Sequence, residues 1–149
     1  MPGFRRVLHA TDLSPASGRA FKSALDLAKA SRGRLVLLHV VPPPQAFVLA
    51  DVPPPADLYE KWDAQARASA KRQLERLVKR ARSSGVRTTT LLTSGPVAGR
   101  IIAAASRTKA DVIVMGTHGR TGLARTFLGS IAGRVVATSS RPVLTVRGR

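Results

Sequence analysis

Asp111-Val112-Ile113-Val114-Met115 runs directly into Gly116-Thr117-His118-Gly119-Arg120-Thr121-Gly122, and Gly129-Ser130 precede a further apolar segment. The first five residues read as a strand buried on both faces. Ile131-Ala132-Gly133-Arg134-Val135-Val136 reads as a helix. A strand, a glycine-rich loop and a helix N-terminus in that order make an anion site. Glycine lets the backbone approach a ligand and take up positive φ. The free N–H groups and positive dipole end of the helix then face a phosphate. The loop is therefore read as the holder of a nucleotide's phosphates. A simple connection from strand to helix needs far fewer residues and glycines.

Two phosphate motifs are excluded. The dinucleotide fingerprint requires Gly-x-Gly-x-x-Gly after a first strand. Here the spacing is Gly-x-x-Gly-x-x-Gly, and it follows a late strand. The P-loop requires Gly-Lys-Ser/Thr, and no Gly-Lys pair occurs in the chain. What is present is Gly-x2-Gly-x9-Gly-Ser, from Gly116, Gly119, Gly129 and Ser130.

The rest of the chain alternates strands and helices. Phe4 to Ala10 reads as strand one. Ser14 fits an N-cap and Pro15 the first helical position. The helix to about Ser31 carries Phe21, Ala24, Leu25 and Ala28 at core spacing, and Gly33 stops it. Leu35 to Val41 is a continuous apolar run, hence a second buried strand. From 42 to 57 the prolines deny the chain ladder donors, so an extended insertion loop is expected, with apolar Ala46-Phe47-Val48-Leu49 at its centre. A long helix runs from Leu58 to about Ser84. Its apolar stripe is Trp62, Ala66, Ala70, Leu74, Leu77, Val78 and Ala81. Arg72, Arg76, Lys79 and Arg80 form a basic ridge on the other side. Val86 to Leu92 is strand three. Gly95-Pro96 opens a helix with Val97, Ile101, Ala104 and Ala105 at core spacing. After the phosphate loop and helix four, Pro142 to Val146 is strand five.

This order gives a parallel sheet with helices on both faces. Ligands of such sheets bind beyond the strand carboxyl ends, where the strand order reverses. If strands one and four are central neighbours, Asp12 and Gly116 meet at that edge. The chain of 149 residues is read as one domain, 1–149. Its 44% hydrophobic and 22% charged residues are ordinary for a soluble globular protein. No apolar run is long enough to span a membrane. The start of the chain has no signal-peptide pattern, so a cytoplasmic location is expected. With no cysteine, disulfides and thiolate chemistry are excluded. The net charge of +17 favours polyanions. The basic residues are spread along the chain, and an aromatic content of 4% gives little for bases to stack on. Salt-sensitive, nonspecific nucleic-acid binding is the resulting expectation.

The loop closely resembles the ATP-binding signature of the universal stress protein family. The resemblance extends to Val7-Leu8-His9-Ala10-Thr11-Asp12, Leu37-Leu38-His39-Val40 and Arg141-Pro142-Val143-Leu144-Thr145-Val146. It implies an open, doubly wound, Rossmann-like α/β fold whose five parallel strands are ordered 3-2-1-4-5. It also implies ATP as ligand and a homodimer formed through the last strand, Val143 to Val146. Carried over by position, it puts Ala10, Thr11 and Asp12 at the adenosine end. Asp12 would then bind ribose hydroxyls or help with Mg2+ on the phosphates. Val40 would hold adenine through its backbone, with Met115 near the base or ribose. Gly116, Gly119, Gly129 and Ser130 would grip the phosphates, with Ile131 beside them. His118, Arg120 and Arg125 are our own addition as sources of positive charge.

His9 departs from the family's pattern of small or aliphatic residues. With His39 and Asp12 it has the composition of a two-histidine, one-carboxylate metal site, although ordinary buried histidines are the better reading and no metal is expected. No catalytic set is apparent. The chain is read as a stress-response regulator or sensor that binds ATP, ADP or AMP, with at most slow hydrolysis. The alternatives are a polyanion-binding protein using its basic surface, and a nucleotide-independent adaptor working through the proline-rich loop.

Overall fold

The computed structural model describes residues 3–44, 50–118 and 128–148. The central feature is a five-stranded, all-parallel sheet. Its strands in chain order are β1 (Arg6–Ala10), β2 (Arg34–Val41), β3 (Arg87–Ser94), β4 (Val112–Gly116) and β5 (Val143–Val146). Their order across the sheet is β3-β2-β1-β4-β5. The helices are α1 (Gly18–Ala30), α2 (Ala56–Ser83), α3 (Val97–Arg107) and α4 (Ser130–Thr138), and a 3-10 turn, Pro15–Ser17, leads into α1. The expected order 3-2-1-4-5 is therefore the observed one.

Alternation along the strands explains the two core layers. On one face Val7, Leu35, Leu37, Val112 and Val114 meet Phe21, Ala24 and Ala28 of α1 and Leu74 and Ala81 of α2. On the other, Leu8, Val36, Leu38, Ile113 and Met115 meet Ile101, Ala104 and Ala105 of α3 and Val135 of α4. A strand buried on both sides needs side chains that are apolar or internally hydrogen-bonded, as in the run 35–41, where His39 is the one polar residue. Register then aligns the strand ends. Ala10 pairs with Met115 on one side and with Leu38 on the other.

Several boundaries differ from the sequence reading. β1 begins at Arg6, where Asp111 accepts the Arg6 backbone N–H at 2.8 Å and pairs with its guanidinium at 2.9 Å. Phe4, ahead of that anchor, is exposed. Ser14 occupies the N-cap position of the 3-10 turn, but its side chain makes no cap bond. The left-handed residue after α1 is Arg32 (φ 50°), not Gly33. Gly33 is needed for a different reason: a Cβ there would run into the backbone carbonyl of Arg5. Gly33→Ala is expected to cost about 1–3 kcal/mol in urea unfolding, since backbone rather than a side chain must yield.

α2 begins two residues earlier than expected and is longer than the sheet beneath it. Its 28 residues span about 42 Å, against about 26 Å for the eight-residue strands β2 and β3. Its first buried residue is Ala70, so Trp62 and Ala66 of the expected stripe are only half-buried. Of the basic ridge, Arg72, Arg76 and Lys79 are exposed, while the Arg80 guanidinium carbon lies 5.1 Å from the centre of the Phe21 ring. Pro42, Pro43 and Pro44 form no regular structure, and the helix already covers Ala56 and Asp57. The apolar centre of the loop, 46–49, lies outside the described residues. Among the described residues no helix is long and apolar enough to cross a membrane.

Candidate functional site at the switch point of the sheet

β1 and β4 are neighbours, and the chain leaves β1 toward one face of the sheet and β4 toward the other. Two connections that diverge from adjacent strand ends leave a crevice between them. Here it has a volume of about 580 Å³, within the range of small-ligand sites. Ala10, Thr11, Asp12, Val40, Met115, Gly116, His118, Gly129, Ser130 and Ile131 all line it. Two further expected residues, Gly119 and Arg120, lie outside the described residues, as does Arg125.

The Thr11–Ser14 side is a tightly bonded turn. The Thr11 hydroxyl accepts the Leu13 N–H at 3.0 Å and bonds the Ser17 hydroxyl at 3.0 Å. Asp12 Oδ1 accepts the Ser14 N–H at 2.9 Å and the Ser14 hydroxyl at 2.6 Å. The turn also holds Leu13 at φ 63°, a left-handed conformation that a leucine adopts only when its surroundings impose it. From the neighbouring strand, His39 Nδ1 donates to the Thr11 carbonyl at 2.8 Å. Asp12 is thus presented to the crevice by a rigid frame.

The opposite side is formed by the two described ends of the glycine-rich loop after β4. These ends are brought together by a short bond from Gly129 N–H to the Thr117 carbonyl, 2.6 Å, and Thr117 N–H donates to Val146 of β5 at 3.0 Å. The Thr117 hydroxyl bonds His118 Nδ1 at 3.0 Å. A Cβ at Gly129 would sit 2.8 Å from the Thr117 carbonyl oxygen, whereas one at Gly116 would meet nothing closer than 3.6 Å. Gly129 has φ −63°, and Gly85 and Gly95 are the positive-φ glycines among the described residues. The expectation of positive φ is therefore not met at Gly116 or Gly129. Close packing of backbone on backbone is what calls for glycine at 129.

α4 starts at Ser130 with no side-chain cap, and Gly133 N–H to the Gly129 carbonyl is its first internal bond. The N–H groups of Ser130, Ile131 and Ala132 have no acceptor among the described residues. Three donors without an acceptor among the described residues, at the positive end of a helix and on a crevice wall, suit an anion. The rest of the wall is apolar: Leu38, Val40, Val97, Ile101 and Met115 give a ring or base a surface to lie on. Sequence reasoning assigned Val97 and Ile101 to the core alone. Helical periodicity reports which face is apolar, not that the end of that face borders a crevice.

His9 and His39 do not form a pair. His9 registers with Leu37, and its Nδ1 donates to the Val114 carbonyl at 3.0 Å. Among the described residues no group of three His, Cys, Asp or Glu is placed to hold a metal. His9 is wholly buried, and its Nε2 has no partner. Burial pushes its pKa down to about 4, against the opposing effects of the Val114 carbonyl and the Asp12 charge.

Order 3-2-1-4-5 with a crevice across the point where the order reverses defines a doubly wound, Rossmann-like α/β protein. Within that class, the sequence model described as the universal stress protein family matches residues 3–147. This chain belongs to that family. It is 34% identical to Universal stress protein MJ0531 of Methanocaldococcus jannaschii, over 97% of this chain and 82% of that one. It superposes on the solved structure of protein MJ0577 with a TM-score of 0.86 at 24% identity, covering 99% of this chain and 98% of that one. At that identity the likeness shows the fold. A second solved structure, a universal stress protein in complex with cAMP, gives a TM-score of 0.68 at 25% identity, with 99% of each chain covered.

Proposed function

We propose that the protein binds ATP in the switch-point crevice and acts as a nucleotide-dependent regulator of the stress response, not as a dedicated catalyst. The observation that carries this reading is the convergence of ten expected residues on one crevice, polar at the α4 end and apolar at the other. The N–H groups of Ser130, Ile131 and Ala132 at the start of α4 fit phosphate oxygens. The apolar wall around Val40 and Met115 fits the adenine. Asp12 fits ribose hydroxyls or a phosphate-bound Mg2+, whose charge would offset that of the phosphates when bound. A family member solved with cAMP supports an adenine nucleotide as the ligand class. Residues 1–149 act as one nucleotide-binding domain in this reading, located in the cytoplasm.

A homodimer through β5 is part of the same proposal. β5 is an edge strand of the sheet, and Leu144 and the nearby Val136 of α4 are 41% and 46% exposed. The +17 charge with exposed Arg72, Arg76 and Lys79 favours a second, weaker activity, salt-sensitive binding of polyanions away from the crevice.

Equilibrium dialysis with ATP and Mg2+ tests the main reading, alongside mass spectrometry of whatever nucleotide leaves the purified protein on denaturation. Saturable binding at millimolar ATP or tighter is expected, and it should persist at salt concentrations that abolish nucleic-acid binding. An empty protein that takes up no ATP at millimolar concentration overturns it.

A further inference from the structure

The outward face of α2 has a pattern that neither the crevice nor β5 uses. Ala64 and Ala68 lie at its middle, Asp57 and Lys61 precede them, and Glu75 and Lys79 follow; all six are exposed. At 100° per residue they fall within about 40° of Ala68, on the side away from buried Ala70, Leu74 and Ala81. Asp57 and Lys79 are equally far before and after Ala68, and so are Lys61 and Glu75. Reading the stripe backwards therefore turns each charge into its opposite. None of these four charged side chains makes an ion pair among the described residues.

We infer that this face docks a second copy of the chain, with the two α2 helices antiparallel about a two-fold axis at Ala68. A two-fold contact brings residue i against j and j against i. Asp57 then faces the partner's Lys79, Lys61 faces the partner's Glu75, and both pairs occur twice. The small side chains at 64 and 68 let the helices approach at the axis. Arg72 falls opposite an alanine and meets no like charge on that line. α2 packs against β2 and β3, at the other end of the sheet from β5. The contact is thus separate from a β5 dimer and would link such dimers.

Magnitudes make it a weak, salt-tuned association. Exposed pairs contribute little individually. The net charge of +17 on each copy repels at long range. At about 0.15 M salt the screening length is about 8 Å, which removes most of the long-range repulsion and leaves contact pairs largely intact. Self-docking should therefore peak near that ionic strength and fall both at very low and at molar salt.

The absence of cysteine permits a direct test. Ala68→Cys places a thiol on the proposed axis, and Ala103→Cys places one on an exposed site of α3, on the other face of the sheet. Nuclease-treated protein is oxidised mildly at 0.15 M salt. Disulfide dimers should form about tenfold faster at position 68 than at 103. Adding Lys61→Glu should slow the reaction at 68 about tenfold, by setting like charges against Glu75 in both copies. Adding Glu75→Lys as well should restore it. Both changes worsen i, i+4 neighbours within the helix, so restoration has to come from across the two copies. Equal rates at 68 and 103, or a Lys61→Glu loss that Glu75→Lys leaves unrestored, overturns the proposal.

Discussion

Gly129→Val is expected to bind ATP on the order of a hundredfold more weakly than the wild type, about 2.7 kcal/mol. The cause is local. A Cβ at 129 would sit 2.8 Å from the Thr117 carbonyl oxygen, and that same carbonyl accepts the Gly129 N–H at 2.6 Å. Both groups are backbone, so neither can rotate away. The loop ends must separate, and the first turn of α4 moves with residue 129. Phosphate recognition by free N–H groups depends on their direction as much as their number, so a shift of a few tenths of an ångström is costly. Gly116→Ala is the matched control. Its added methyl would meet nothing closer than 3.6 Å, so its melting temperature should stay near that of the wild type, and any loss of affinity there would report on the ligand alone. Calorimetric titration with ATP and Mg2+ on both variants checks this. Full affinity in Gly129→Val would show that the loop does not hold the phosphates.

The second large effect is on acid stability. The buried His9 has a folded pKa of about 4, below its ordinary 6.5. Between those values the unfolded chain binds more protons than the folded one, so stability rises with pH across the window. The contribution is fully present above about pH 6.5 and is lost as pH falls toward 4. It amounts to about 3 kcal/mol in all. The salt bridge to Arg6 lowers the pKa of Asp111 below the usual carboxylate value of 3.8, so its contribution is lost at lower pH and leaves the His9 window clear. His9→Asn keeps a donor for the Val114 carbonyl and removes the titration. It should be less stable at pH 7, because the smaller side chain leaves a cavity. Its stability should nevertheless fall less steeply than the wild type's from pH 6.5 to 4, as read by urea unfolding at fixed ionic strength. Parallel curves for the two proteins would mean that His9 is not the buried group being charged.

Much of the candidate site's placement was legible before the fold was known. The largely apolar run at 35–41 and the apolar run at 112–115 require strands covered on both sides, and the intervening helical periods require crossovers. Those two facts bring Asp12 and Gly116 to one edge of the sheet once β1 and β4 are adjacent, as they are. The order of strands itself came from family resemblance, because periodicity says nothing about which strand lies beside which. The two misread glycines share one cause. Gly33 looked like a helix stop and Gly129 like a source of conformational freedom. Each is glycine because another backbone segment passes too close for a Cβ.

The sequence by itself determined the order and type of the elements, the apolar faces, and the residues that supply donors and glycines to the loop. These follow from relations among neighbours along the chain, which hydrophobic period and turn chemistry record directly. The tertiary structure alone decided that Thr117 and Gly129 close the loop, that His39 braces Thr11, that His9 is buried with its Nε2 unpartnered, and that α2 outruns the strands beneath it. Those are distances between segments far apart in the chain, set by how whole elements pack, and no local pattern carries them.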